Sequence, residues 1–559
     1  MTDNKKKESF YLSCFSEAVK RFPDKKALFF KEKSYTYAEL DALTDRLAAL
    51  LLKEGAGRGE IVPVLVPRSE YMTITALGIL KTGAAYEPLD ASHPEKRIRA
   101  MVEEAGASLV IVSKDYMGLI PDTLNDKPVR KILMEDIEKL PAADGPGSYD
   151  IAQDDVFVIL YTSGSTGVPK GIMLTQHNIS VLLSWYLSYY EVDENCRMGE
   201  HPSFVFDLAI LESLLPLASG ASVHIIPEEI RTDLLELGRF FDENKITHVT
   251  MTTQLGRQFA MNVKCSSLKH LTVGGEALVS VKPPEGYTLH NGYGPAECTA
   301  FVTMFPVLED YPEKVPLGNP MPDVDIYILD SEGKKVRDGE IGELCIAGPH
   351  VSPGYLNHDD LTRKVFTDNP FSQDPEYKKM YHTGDLARIM ENGLIEYMGR
   401  ADRQIKIRGF RIEPAEIEAL IKGFEGIQDV LVISFGSGEG KSLCAYYVSE
   451  EPVDEDRLSA LVASSKPSYM VPSCFIHLKE FPLNVNGKID RQKLPVPEMR
   501  KNTGEYRAPQ NDTEKKLAEL FEQILSVERA GAGDDFFRLG GNSISAATQI
   551  GRASCRERV

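Results

Sequence analysis

Apolar and polar positions along the chain follow two rhythms, and the rhythm changes with position. In TYAELDALTDRLAALLLKEG (residues 36–55) apolar residues return every three or four positions, and Thr36 precedes Glu39 by capping-box spacing, so a helix is predicted after Thr36. IVPVLVP (61–67) is a short continuous apolar run, the mark of a buried strand. ITALGILKTGAAYEPLD (74–90) reads as helix then loop, and IRAMVEEAGASLVIVS (98–113) as helix then strand. This succession predicts an α/β domain with parallel crossovers. From about Val315 the pattern becomes strand-rich, in PDVDIYILD, GELCIAG, GLIEYMG and QIKIRGFRI. Near residue 400 it shifts to a small α+β unit, PAEIEALIKGFEGIQDVLVISF followed by SLCAYYVS. Residues 494–512 are Pro-rich and polar, a linker, and TEKKLAELFEQILSV after them is a predicted helix.

Composition bounds this picture without changing it. A chain of 559 residues is too long for one core, and about three or four units are expected. The 42% hydrophobic and 26% charged content describes a soluble globular protein. A net charge of −20 argues against general nucleic-acid binding. The eight Cys, at 14, 196, 265, 298, 345, 444, 474 and 555, form no CxxC pair, so neither a zinc site nor a disulfide framework is expected. No apolar run spans a bilayer, and the basic N-terminus lacks a signal-peptide core, so a cytoplasmic location without membrane partners is expected.

One stretch carries candidate chemistry. YTSGSTGVPKG (161–171) holds three Gly, four Ser/Thr hydroxyls, a Pro and a Lys, after the apolar run of DDVFVIL and before the long, mostly apolar IMLTQHNISVLLSWYLSYY. A Gly-rich loop between strand and helix exposes backbone N–H groups to phosphate oxygens. The spacing is not GxxxxGK[ST], which weakens an ordinary NTPase reading; a mobile Gly/Ser loop is the alternative. FDLAI (206–210), NGYGPAE (291–297), GELCIAG, YHTGDLAR (381–388), GRADRQIKIRGFRIE (399–413) and NVNGKIDR (484–491) follow in order. Together with KTGAAYEPLD and PSYMVP they resemble the adenylate-forming superfamily, and more narrowly the amino-acid adenylation domain of nonribosomal peptide synthetases, over about residues 10–500. DDFFRLGGNSISA (534–546) resembles a peptidyl carrier protein around its modified serine.

The resemblance implies a large N-terminal part of α/β sheets with a β-rich subdomain over 1–401 and a small α+β C-terminal lid over 402–497. A linker over 498–512, a partial all-α carrier over 513–550 and an artefactual tail over 551–559 would follow. It implies ATP-dependent activation of an amino acid as aminoacyl-AMP, then transfer to a carrier-bound phosphopantetheine thiol. Such transfers rest on positioning and charge neutralisation rather than on a protein nucleophile.

By resemblance, Glu297 would hold Mg²⁺, and Thr162, Ser163, Gly164, Ser165, Thr166, Gly167 and Lys170 would surround the phosphates, with Thr166 on the β/γ-phosphates. Tyr293 would cover the adenine, Asn291 would read its edge, and Asp385 would accept from the ribose hydroxyls beside Tyr397 and Arg400; a buried Asp–Arg structural pair competes with that reading. Lys488 would be the catalytic cation, against a turn lysine after NG, and Asp402 would be the hinge between the two parts. Asp207, a carboxylate in an apolar segment, would pair with the substrate's α-ammonium group. The family's pocket positions fall on Leu208, Leu211, Thr250, Thr272, Gly274, Gly292, Ala300 and Phe301, none of them charged. A neutral amino acid is expected, and the volume left by Gly274, Gly292 and Ala300 suggests a medium-to-large or aromatic one.

Ser543 would carry 4′-phosphopantetheine added by a phosphopantetheinyl transferase; a plain helix N-cap is its other reading. Neighbouring synthetase modules or a condensation domain would be the macromolecular partners. Two departures stand out. Ala296 replaces the commoner Thr of YGPTE, and after ISAATQI the chain does not continue as a carrier, so loading of Ser543 is expected to be poor. The competing readings are a D-alanine–carrier ligase or acyl-CoA ligase of the same superfamily, and a catalytically silent scaffold module. The joint presence of Lys170, Glu297, Asp385 and Lys488 argues against the last.

Overall fold

The computed structural model describes residues 10–124, 126–143, 151–163, 169–436, 441–483, 489–497, 507–525 and 529–533. The chain divides into two compact units: the described residues of Met1–Thr162, Pro169–Arg231 and Gly238–Asp402 form the first, and those of Ser163–Val168, Thr232–Leu237 and Arg403–Val559 the second. No described helix is long and apolar enough to cross a membrane.

The first unit contains the helix read from residues 36–55. Thr36 Oγ1 accepts the Glu39 N–H at 3.1 Å while the Glu39 carboxylate accepts the Thr36 N–H at 2.8 Å, so helix Tyr37–Lys53 starts on a reciprocal cap. Its buried stripe, Leu40, Leu43, Leu47 and Leu51, packs against helix Glu70–Leu80. That approach needs Gly78, where a Cβ would fall 2.6 Å from Leu47 Cδ2.

Two sheets organise the unit. Among the described residues one has nine strands, in which Lys26–Phe30, Ser222–Ile225, Arg197–Glu200, His248–Thr252, His270–Gly274 and Thr288–Tyr293 run parallel, with antiparallel strands at both edges. The other has seven, with Lys170–Thr175, Val156–Thr162, Ala85–Pro88, Ile61–Leu65 and Leu109–Val112 adjacent in that order. Strands buried on both faces read as continuous apolar runs, which is why Ile61–Leu65 and Leu109–Val112 were visible in the sequence.

Two readings change. Residues 85–88 form a strand rather than a loop, because Ala85–Pro88 pairs in parallel with Ile61–Leu65 and with Val156–Thr162. The segment after the Gly/Ser-rich stretch begins as a strand: Lys170–Thr175 runs antiparallel to Val156–Thr162 with Lys170 opposite Thr162. The loop therefore joins two strands of one sheet, not a strand to a helix. Ile172 and Leu174 are buried, and helix Gln176–Tyr189 starts only after Thr175, whose hydroxyl accepts the Asn178 N–H.

The strand-rich segment forms an antiparallel sheet with Asp325–Leu329, Gly342–Ala347, Lys379–Ile389 and Phe366–Asp368 in that order, and Ile395–Arg400 pairs with Lys379–Ile389. The second unit has helices Pro414–Lys422 and Glu455–Ala463 with the sheet Ile427–Phe435, Ser442–Ser449, Cys474–Leu478, around a core that includes Ile417, Ile421, Tyr447, Leu458 and Val462. Helix Asp512–Leu525 follows later in the chain.

Candidate active site

Strand Thr288–Tyr293 lies inside its sheet, parallel to His270–Gly274 on one side and antiparallel to Thr303–Val307 on the other. Its last residues are site candidates, and strand pleating sends Asn291 and Tyr293 to one face and Gly292 to the other. Asn291 is buried and its amide donates to the Pro316 carbonyl at 2.9 Å. The Tyr293 hydroxyl donates to Asp385 Oδ2 at 2.8 Å.

Asp385 gathers most of this side of the site. It faces Arg400 across antiparallel strands, and Arg400 Nη1 donates to its Oδ1 at 2.8 Å. Arg400 also grips Asp402 with Nε at 2.6 Å and Nη2 at 2.5 Å, a two-point fork. The guanidinium needs a residue without a side chain beneath it: Gly384 sits at φ +71°, and a Cβ there would lie 2.6 Å from Arg400 Nη2. Burial first, and the Asp385 charge second, push the Tyr293 and Tyr397 phenols above their usual range. A buried Asp–Arg pair is thus present, and the Tyr293 hydroxyl adds to it.

A second cluster lies at the turn after Tyr293. Glu297 is fully buried, in the short turn Ala296–Cys298. Thr299 and Ala300 follow at φ 58° and 70°, left-handed conformations that turn the chain back. Glu297 Oε1 accepts the Tyr355 hydroxyl at 2.7 Å. Lys170 Nζ lies 3.9 Å from the same oxygen, donates to the Tyr355 hydroxyl at 2.9 Å, and sits 4.2 Å from the ring centroid. Tyr355 was missed from the sequence: it stands in SPGYLN, where nothing charged marks it. Thr162, opposite Lys170, has a buried Oγ1 without a hydrogen-bond partner among the described residues.

The third cluster is the pocket. Asp207 is half-buried at the start of helix Leu208–Ser213, where its Oδ1 accepts the Leu208 N–H at 2.9 Å. The carboxylate is therefore less costly than a fully buried one, which corrects the premise drawn from its apolar neighbours. Leu208 is half-buried, and Leu211, Thr250, Thr272, Ala300 and Phe301 are buried. Thr250 faces Thr272 across parallel strands. Beneath them lies a residue the sequence did not single out: Glu212 is buried and accepts N–H bonds from Thr250 and from His201. Burial, reinforced by Glu200, pushes its carboxyl well above the usual range. Gly274 and Gly292 do not leave open volume. The Phe301 ring fills it, so that a Cβ on Gly292 would meet Phe301 Cε1 at 2.4 Å, and one on Gly274 would meet it at 3.0 Å. These two glycines therefore make space for the Phe301 ring and not for a large substrate side chain.

Ser163 is buried and grouped with the second unit. Gly164, Ser165, Thr166, Gly167, Lys488 and Ser543 lie outside the described residues.

Gramicidin S synthase 2 of Brevibacillus brevis is 37% identical over 549 residues, covering 96% of this chain and 12% of that protein. The chain thus spans about an eighth of the length of this relative. Among solved structures, an artificially fused adenylation–PCP di-domain from Klebsiella oxytoca superposes with a TM-score of 0.74 at 27% identity, covering 83% of this chain and 92% of that one. A four-domain nonribosomal peptide synthetase bound to AMP and glycine gives a TM-score of 0.62 at 29% identity, covering 97% of this chain and 40% of that one. The model of the family described as AMP-binding enzyme matches residues 15–356, more than half of the chain and the span that holds Lys170, Asp207, Glu297 and Tyr355. The chain belongs to the AMP-binding enzymes.

Proposed function

We propose that the chain activates a neutral amino acid with ATP, giving aminoacyl-AMP and pyrophosphate, and passes the aminoacyl group to a phosphopantetheine thiol within a nonribosomal peptide synthetase. The observation that carries the reading is one short segment, 291–301. It bears Asn291 and Tyr293 on one face of a strand, Gly292 on the other, then Glu297, Ala300 and Phe301. Nucleotide-side and pocket-side residues thus share one continuous strand-and-turn segment, as suits an enzyme that must bring a carboxylate to a phosphorus atom.

In this account Asp385 accepts from the ribose, held in place by Arg400 and Tyr293, while Asn291 and the Tyr293 ring orient the adenine. Lys170 offsets charge on the phosphates. Lys488 bridges the substrate carboxylate and the α-phosphate. Asp402 is the hinge about which the second unit rotates between the two half-reactions. Asp207, at a helix start and only half-buried, receives the α-ammonium group. Glu297 is a hard oxygen donor of the kind Mg²⁺ takes together with phosphate oxygens, so the residue fits that ion, which would neutralise phosphate charge when bound. Ser543 carries the phosphopantetheine arm added by a phosphopantetheinyl transferase, and neighbouring synthetase modules take the product.

A second reading, a ligase that charges a carrier with D-alanine, draws support from Phe301, whose ring occupies the space over Gly292 and Gly274 that a larger side chain would need. ATP–pyrophosphate exchange on a panel of L- and D-amino acids and of amine-free acids tests both. Exchange with D-alanine alone selects the second reading, and exchange only with amine-free acids removes both.

A further inference from the structure

One face of the antiparallel sheet brings together three side chains of different chemistry. Glu343 and Cys345 stand two apart on strand Gly342–Ala347, so both point to one face. His382, on strand Lys379–Ile389, is the direct partner of Cys345 in the register. His382 Nδ1 lies 3.4 Å from Cys345 Sγ and 3.0 Å from Glu343 Oε2. One ligand atom from each residue falls within 4.8 Å of the others. The Nε2 of the same imidazole is 3.1 Å from Thr367 Oγ1 on the next strand, Phe366–Asp368. Glu343 Oε1 is held separately by the Gly384 N–H at 3.0 Å, which leaves Oε2 turned toward the imidazole.

We infer that Glu343, Cys345 and His382 form a binding site for a zinc-class transition-metal ion. Ligands about 2.0–2.3 Å from a tetrahedral Zn²⁺ are roughly 3.3–3.5 Å from one another; the Nδ1–Sγ pair is already at 3.4 Å, and all three atoms lie within 4.8 Å, so small side-chain shifts complete the triad. The donor set is a thiol, an imidazole and a carboxylate, which suits Zn²⁺ or Co²⁺ and not Mg²⁺ or Ca²⁺. The site is therefore separate in chemistry from Glu297. Thr367 does what outer partners of metal-bound imidazoles do, holding Nε2 so that Nδ1 faces the ion. On binding, the thiol proton leaves to solvent and the sulfur ligates as thiolate. Cys345 is fully buried, but the side chains of His382 and Glu343 are 26% and 31% exposed, so an ion has an entry side and a water can fill the fourth position. Three neighbouring strands supply the ligands and their support, so the site is preformed rather than gathered from loops.

The test is titration of the metal-free full chain with Co²⁺, followed by absorption. One equivalent should produce a thiolate-to-cobalt charge-transfer band that Zn²⁺ abolishes and Mg²⁺ does not. Cys345→Ser should lack the band. His382→Gln, at a partly exposed position, should weaken Co²⁺ binding at least tenfold, and Thr367→Val should weaken it about tenfold while the band remains. Absence of a thiolate band in the wild-type chain, a band of full intensity in Cys345→Ser, or unchanged affinity in His382→Gln would overturn the assignment.

Discussion

Asp207 does two things that substitution can separate. Its oxygen caps the first N–H of helix Leu208–Ser213, and its charge is the anchor assigned to the substrate amine. Asp207→Asn keeps an oxygen for the Leu208 N–H and loses the charge. It should hold the melting temperature of the parent while kcat/KM for an α-amino acid falls at least about 30-fold, the equivalent of roughly 2 kcal/mol. Asp207→Ala should show the same kinetic loss together with a capping loss of about 0.5–2 kcal/mol in denaturant unfolding. An Asn variant as active as the parent would remove the anchor. Glu87 is a residue of the opposite kind: fully buried, with both oxygens lacking a partner among the described residues. Burial, with Glu104 second, holds its carboxyl well above the usual 4.5. The folded chain keeps a proton that the unfolded chain releases above that value, so this group's contribution to stability falls as pH rises from about 4.5 upward. Glu87→Gln cannot ionise, and its melting temperature relative to the parent should rise between pH 5 and pH 8; a constant difference would contradict the sign.

Elements decide how the pocket side and the nucleotide side are joined, and they also mark where sequence reading stops. The helix from Tyr37 was legible because cap and apolar stripe agree locally. The strand Ala85–Pro88 was not, because it owes its state to pairing with Ile61–Leu65 and Val156–Thr162, neither visible in AAYEPLD. The same holds for Lys170–Thr175, whose partner is fixed by the sheet. At the site, Glu297, Asp385 and Arg400 were named from their motifs, whereas Tyr355 and Glu212 were not, since each acts through a partner distant in sequence. Phe301 was named but its direction was not: only the fold shows the ring filling the space over Gly292 and Gly274. From that contact, Gly292→Ala should overpack the strand and lose about 1–3 kcal/mol of stability along with exchange activity. Adding Phe301→Leu should recover much of the loss. A stable, fully active Gly292→Ala enzyme would mean that the ring does not press on the strand.

At the scale of the whole molecule, the two units have separate hydrophobic cores, and every described residue assigned to adenylation lies at or before Asp402. Lys488, the remaining assignment, also precedes the linker. Helix Asp512–Leu525 contributes Ala518 and Phe521 to a small cluster of its own with Ala530. A chain ending at residue 512 should therefore keep the parent's pyrophosphate exchange within about twofold and its main unfolding transition, as expected when a segment outside both cores is removed. Loss of exchange would tie the C-terminal helix to catalysis. The central claim, that this AMP-binding enzyme adenylates a neutral α-amino acid through Asp207 and Lys488, meets its most direct test in ATP–pyrophosphate exchange with the parent, Asp207→Asn and Lys488→Ala, each against the same panel of acids. The account predicts exchange driven by one or a few neutral amino acids in the parent, selective loss of amine-bearing substrates in Asp207→Asn, and near-complete loss with ATP still bound in Lys488→Ala. Exchange driven by amine-free acids, or undiminished in Lys488→Ala, would contradict it.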